Sequence, residues 1–213
     1  MPADPVPSEP GAPQPPVPAD QVTPSPTALR AMAHPLRLRM LGLLRVEGPS
    51  TASRLASRLG LNSGATSYHL RQLAEHGFVV DDPERGNARE RWWRAAHRTT
   101  HVPDDYSGDP NARDARQAFS QAVAVAYAGQ IQQAVEELPT LPDEWRSLSS
   151  SSDWSLRLTP REAKQLHDEL HAVVERYRPW YPDRPEAPAG AGHYRVLLNT
   201  FPRPGTTTTE DER

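Results

Sequence analysis

The stretch that decides the fold is RLASRLGLNSGATSYHLRQLAEHGFV, residues 54–79. Leu55 and Leu59 stand four residues apart, the spacing of one helical face, and predict a helix over Ala52–Leu59. Ser50 or Thr51 occupies the N-cap position, where a side-chain oxygen satisfies an orphan N–H. Gly60 stands where a helix C-terminus favours glycine. After the apolar turn residue Leu61, Asn62 or Ser63 caps another helix, which reaches about His76 and stops at Gly77. On that helix Thr66, His69, Leu70 and Leu73 fall within an arc of about 100° and face a core. Gly64, Ala65, Tyr68, Arg71 and Gln72 lie opposite. That outer face is short-chained at its start and polar or basic further along.

Working outward, residues 27–53 predict two more helices. Leu29, Met32 and Ala33 recur at helical spacing until His34-Pro35. Proline discourages helix at the residue before it and suits the first turn of the next helix. Leu36, Met40, Leu43 and Leu44 then form an apolar stripe that ends near Glu47-Gly48-Pro49. Downstream, Phe78–Val80 is a short apolar strand and Arg89–Ala95 a second one. Between them Asp81–Ala88 contains Pro83 and Gly86 and reads as a hairpin loop. Helix, three-residue turn, helix and then hairpin is the element order of a winged helix-turn-helix.

Three segments carry a family resemblance: ALRAMAHPLRLRMLGLL (28–44), the stretch quoted above, and RERWWRAAHR (89–98). The first resembles the opening of the ArsR/SmtB-type winged-helix regulators, where a residue-Pro step precedes an Arg-Leu-Arg-x-Leu run. The second is similar to their helix-turn-helix, with its Ser-x-His-Leu-x-x-Leu core, and the third to their outer wing strand. The resemblance implies a homodimer that binds double-stranded DNA and regulates transcription, as a repressor of an inverted repeat. Gly64 and Ala65 depart from the polar residues common there, which leaves few direct base readers.

The residues themselves suggest which would meet DNA. On the recognition helix, 63–76, these are Ser63, Gly64, Ala65, Ser67, Tyr68, Arg71 and Gln72. Arg71 can address a phosphate or guanine, Tyr68 and Gln72 can hydrogen-bond, and Ala65 can touch a thymine methyl. Ser63 with the free N–H groups of the first turn can hold a phosphate, and Ser50 and Thr51 are placed to do so at the preceding helix. In the wing, 81–91, the candidates are Arg85, Asn87, Arg89 and Arg91. Period-2 alternation puts Arg89 and Arg91 on one face. Trp92 and Trp93 point to opposite faces, so one is expected in the core.

Beyond residue 98 the pattern is helical again. Asp109-Pro110 opens a long helix reaching Leu138. Phe119, Val123, Tyr127, Ile131 and Val135 recur every four residues along it, flanked by Ala122, Ala126 and Ala134, and form the expected dimer interface. Trp154, Leu156 and Leu158 alternate with polar residues and predict a strand. Thr159-x-x-Glu162 has capping-box spacing before a further helix. Tyr194, Val196 and Leu198 predict a closing strand. Residues 154–201 thus read as a strand–helix–strand module that binds an effector or extends the dimer. The fold class is mainly α with small β. The expected regions are a Pro-rich tail (1–26), the winged helix (27–98), a dimerisation and effector region (99–201) and a polar tail (202–213).

Composition sharpens these boundaries. The chain has 24 prolines in 213 residues, about 11 % against roughly 5 % in average usage, and ten fall in residues 1–26. A tail so rich in proline cannot hold a helix or central strand. The net charge of −3 hides a partition, because residues 30–98 carry 12 arginines against six acids. A basic middle between acidic flanks suggests a local polyanion-binding surface. The absence of cysteine excludes thiolate metal sensing, disulfides and cysteine nucleophiles. No long apolar run and no signal peptide are expected, so the location expected is cytoplasmic and nucleoid-associated.

Other functions are less well served. His167 and His171 stand i, i+4, a spacing that can chelate zinc, but Asp168 replaces the glutamate of the protease motif and Lys164 and Arg178 flank the pair. His97, His101, Asp104 and Asp105 form a loose cluster before the long helix. No metal, cofactor or catalytic residue is assigned. His69 reads as a satisfied core histidine, and Glu136-Glu137 as solvent-facing. The alternatives are a winged helix used for protein contact and, further off, a metal-dependent enzyme at His167 and His171.

Overall fold

The computed structural model describes residues 20–85, 90–103, 109–177 and 190–205. The chain divides into two compact units, one up to Gln132 and one from Gln133. It is mostly helical with a small sheet, as its apolar spacing predicts.

In the first unit, β1 (Gln21–Val22) precedes α1 (Pro26–Met32) and α2 (Pro35–Val46). Ser25 caps α1 and His34 caps α2, each followed by a proline in the first turn. β2 (Ser50–Thr51) leads into α3 (Ala52–Leu59) and then α4 (Ser63–Glu75). Thr51 is the cap of α3, its Oγ1 accepting from the Arg54 N–H at 3.3 Å. Gly60 ends α3 in the left-handed region at φ 66°, where a Cβ would clash with the backbone. Asn62 caps α4 by accepting from the Ala65 N–H at 2.8 Å.

The wing is built from β3 (Val79–Asp81) and β4 (Trp92–Ala95), which pair antiparallel. β4 is shorter than the expected Arg89–Ala95 strand and central rather than outer. Its other edge holds β2, with Ser50 opposite Trp93 and Thr51 opposite Trp92. β5 (Thr99–Thr100) pairs in parallel with β1. Pairs of two residues carry no periodicity, so neither β2 nor the β1–β5 pair is legible in sequence.

One core unites these elements: Leu29, Met32, Met40, Leu41, Leu44, Leu55, Leu70, Leu73, Phe78, Val79 and Trp93. Each fully buried side chain of this size contributes about 1.5–3 kcal/mol. α5 (Pro110–Glu137) adds Ala115 to this core and packs Phe119 against it. Phe119 is thus half-buried against the core of its own chain. Val123 and Tyr127 are half-buried, while Ile131 and Val135 are exposed. The compact units part inside this helix and not at residue 98.

In the second unit a 3₁₀ turn (Leu138–Thr140) and α6 (Asp143–Arg146) precede α7 (Pro160–Tyr177). The expected capping box forms: Thr159 N–H donates to Glu162 Oε2 at 2.8 Å, and the Glu162 N–H to Thr159 Oγ1 at 3.3 Å. The expected strands do not form within the chain. Residues 151–158 and 191–203 are assigned no strand, and α7 has no buried residue. Alternation defines the two faces of an extended segment; a strand also needs a partner for its ladder. The tails 1–19 and 206–213 lie outside the described residues. Among the described residues, no helix is long and apolar enough to cross a membrane.

Candidate nucleic-acid interface

α4 divides as its angular spacing predicts. Thr66, Leu70 and Leu73 are buried, and the Thr66 hydroxyl donates to the Asn62 carbonyl at 3.1 Å. These anchors fix the rotation of α4 about its own axis. Ser63, Gly64, Tyr68 and Arg71 are consequently exposed, with Ala65, Ser67 and Gln72 half-buried. Tyr68 is 55 % exposed, a large aromatic that no core contact accounts for. Arg71 Nε reaches back to the Ser67 carbonyl at 3.3 Å, and Gln72 Nε2 donates to Glu75 Oε2 at 3.1 Å. The first turn of α4 presents small residues, so a duplex backbone can approach its N-terminus closely.

The other candidates are less uniformly available. Thr51 is 2 % exposed and its hydroxyl is engaged at the cap. Its burial follows from β2 pairing beside β4, with Thr51 opposite Trp92. Ser50 is half-buried beside it. Arg91 Nε pairs with Asp81 Oδ2 at 2.9 Å, and its guanidinium lies 4.1 Å from the Trp93 ring centroid. Its two-residue offset from Trp93 puts both on one face of the hairpin. Arg85 Nε lies 3.7 Å from Asp82 Oδ2 with its side chain largely exposed. Asn87 and Arg89 fall outside the described residues.

Trp93 is the buried tryptophan of the pair. Trp92 faces the other way and carries Arg54 over its ring at 4.6 Å. Arg54 sits on α3, and sequence spacing gave no sign of this contact, since the stacking depends on β2 bringing α3 against β4. Arg45 was missed likewise. It donates from Nε to the His97 carbonyl at 3.0 Å and from Nη2 to Thr100 Oγ1 at 2.8 Å. Burial lowers its pKa to about 10, so it remains a cation at neutral pH and ties α2 to the segment after β4.

His69 is half-buried, but its Nδ1 has no hydrogen-bond partner. The satisfied core histidine expected there is instead stacked against His34. In the second unit the rings of His167 and His171 lie 4.3 Å apart. His167 Nδ1 is 3.0 Å from Thr200 Oγ1, and Lys164 Nζ pairs with Asp168 Oδ2 at 2.6 Å. Among the described residues no three metal-ligating side chains come together; Asp104, Asp105 and Arg178 are outside them. Glu136 and Glu137 are exposed, with Gln133 Nε2 donating to Glu137 Oε1 at 2.7 Å.

A family described as a helix-turn-helix domain matches residues 32–81. No curated protein matches the chain. Among solved structures, one described as "Possible transcriptional regulator for arsenical resistance" is 26% identical, covering 55% of this chain and 97% of its own, with a TM-score of 0.29. Lactococcus lactis ZitR in apo form is 16% identical over 68% of this chain and 84% of its own, TM-score 0.29. RV1404 from Mycobacterium tuberculosis is 18% identical over 70% and 83%, TM-score 0.28. Residues 32–81, from the end of α1 through α4 to β3, are a helix-turn-helix domain.

Proposed function

We propose that the chain is a DNA-binding transcriptional regulator of the ArsR/SmtB type, acting as a homodimeric repressor on an inverted repeat. The observation that carries this reading is the outer face of α4. Ser63, Gly64, Tyr68 and Arg71 stand exposed on a helix whose opposite face is locked into the core. The face belongs to a segment with 12 arginines against six acids. A helix so anchored enters a major groove, with Tyr68, Gln72 and Ala65 toward base edges, Arg71 at a phosphate or guanine and Ser63 at a phosphate. Arg85, with Asn87 and Arg89 of the wing, reaches the flanking minor groove or backbone.

Two copies would set their α4 helices about 34–36 Å apart, one helical turn of DNA. The exposure of Ile131 (49 %) and Val135 (58 %) on α5 supports the dimer, since isolated solvent-facing β-branched residues at i, i+4 gain from a partner helix. Repression, rather than activation, rests on the family resemblance of residues 28–98.

A mobility-shift titration of the full chain against DNA from upstream of its own gene, with a scrambled duplex as competitor, tests the reading. Retardation that survives excess competitor is the expected result. A folded dimer that gives no retarded band even at low salt would end the proposal and favour the protein-contact alternative.

A further inference from the structure

Residues 153–158, Asp-Trp-Ser-Leu-Arg-Leu, lead into α7 outside any helix or strand and pair with nothing. Trp154 is 79 % exposed, Leu156 59 % and Leu158 43 %. Among the described residues, no hydrogen bond or ion pair involves residues 151–158. Unpaired N–H and C=O groups beside an apolar face make a ready template for strand addition.

The sequence of this segment names its occupant. In an antiparallel pair of two identical strands centred on Ser155, Ser155 meets Ser155 of the second copy. Asp153 then meets Arg157 twice, and Trp154 meets Leu156 twice. Residues 153, 155 and 157 share one face and 154, 156 and 158 the other, because side chains alternate. Across residues 153–157 the facing pairs are thus complementary: two opposite-charge pairs on the polar face and two aromatic–aliphatic pairs on the apolar face, with Leu158 falling opposite Ser152 at each end. A shift of one residue either way would set Asp153 opposite an apolar or hydroxyl side chain and break this match. The arrangement is isologous, as a two-fold dimer requires.

We propose that residues 153–157 form an intermolecular antiparallel ribbon with the same residues of a second copy of this chain, with its two-fold axis at Ser155. The proposal rests on the homodimeric reading above and adds a second contact to it, distinct from α5. Thr159 caps α7 directly after Leu158, so the ribbon carries one copy of α7 at each end. The strand expected from sequence at 154–158 is then a strand in the dimer.

The chain has no cysteine, so Ser155→Cys in the full-length protein is a unique reporter. Under mild oxidation or with a short bismaleimide it should give a covalent dimer. Ser150→Cys, also exposed, should give roughly tenfold less, because its two copies lie about 33 Å apart along the ribbon. Asp153→Arg sets like charges opposite each other twice and should raise the dimer Kd by on the order of tenfold. Adding Arg157→Asp should restore it. Equal cross-linking of both cysteine variants, or no rescue by the double swap, overturns the ribbon. A dimer by sedimentation that Ser155→Cys fails to cross-link overturns the ribbon and leaves the homodimer standing. A chain that sediments as a monomer throughout removes both.

Discussion

The imidazole of His34, at the N-cap of α2, lies 4.6 Å centroid to centroid from that of His69 on α4, with the ring planes tilted by 46°. His34 Nδ1 accepts the Leu36 N–H at 3.2 Å, which requires that nitrogen to be unprotonated. Both rings are held below the usual imidazole value, chiefly by burial. The Arg37 charge adds to this for both, and His34 adds to it for His69. The contact between the N-cap of α2 and α4 is therefore built for neutral histidines.

Acid should destabilise the helix-turn-helix. With folded values below 6.5, the unfolded chain binds more protons than the folded one between the two values. Stability is then fully present above about pH 6.5 and is lost as the pH falls through that value toward the folded pKa values. Urea titrations between pH 5 and 7.5 should show the midpoint falling on the acid side. His34→Asn keeps a capping acceptor without a titrating group and should flatten that fall. An equally steep acid loss in this variant would remove His34 from the account.

Arg71 and Arg91 should separate binding from folding. Arg71 is exposed on the outer face of α4, and Arg71→Ala should lower the slope of log K against log salt by about 1. Arg91 is committed to Asp81 and to the Trp93 ring. Arg91→Ala should cost up to about 1 kcal/mol of stability with little change in that slope. Mobility shifts at several salt concentrations, alongside thermal melts, read both effects.

The anchor of α4 should be far more sensitive than its outer face. Leu70 is fully buried, so Leu70→Ala should cost about 2–5 kcal/mol. Asn62→Ala removes the cap that holds the Ala65 N–H and should cost about 1 kcal/mol. Tyr68→Ala should leave the denaturation midpoint almost unchanged while weakening binding to DNA. A large stability loss from Tyr68→Ala would mean that this ring belongs to the core.

Assembly can be probed on α5 independently of the ribbon. Ile131→Glu with Val135→Glu places charges at two exposed positions, so the isolated chain should keep its melting temperature. Its sedimentation should shift toward monomer, and its DNA binding should lose its steep protein-concentration dependence. Unaltered sedimentation would exclude this part of α5 from the interface.

Local chemistry made the helix-turn-helix readable. The caps at Thr51 and Asn62, the glycine at position 60 and the leucines at 55, 70 and 73 each act within one turn of their own helix, and all took their expected roles. Thr51 shows where such reading stops. As a cap it was legible; its burial was not, because that depends on β2 lying beside β4.

The sequence alone determined where helices begin and end and which face of α4 is apolar, since capping and 3.6-residue periodicity are properties of neighbouring residues. Tertiary structure decided what spacing cannot encode: which arginines are spent on internal partners, and that Phe119 serves the core. It also showed that residues 154–158 have no ladder in their own chain. The physical reason is common to all three. A side chain's partner across the fold is set by how elements dock, and no local pattern carries that distance.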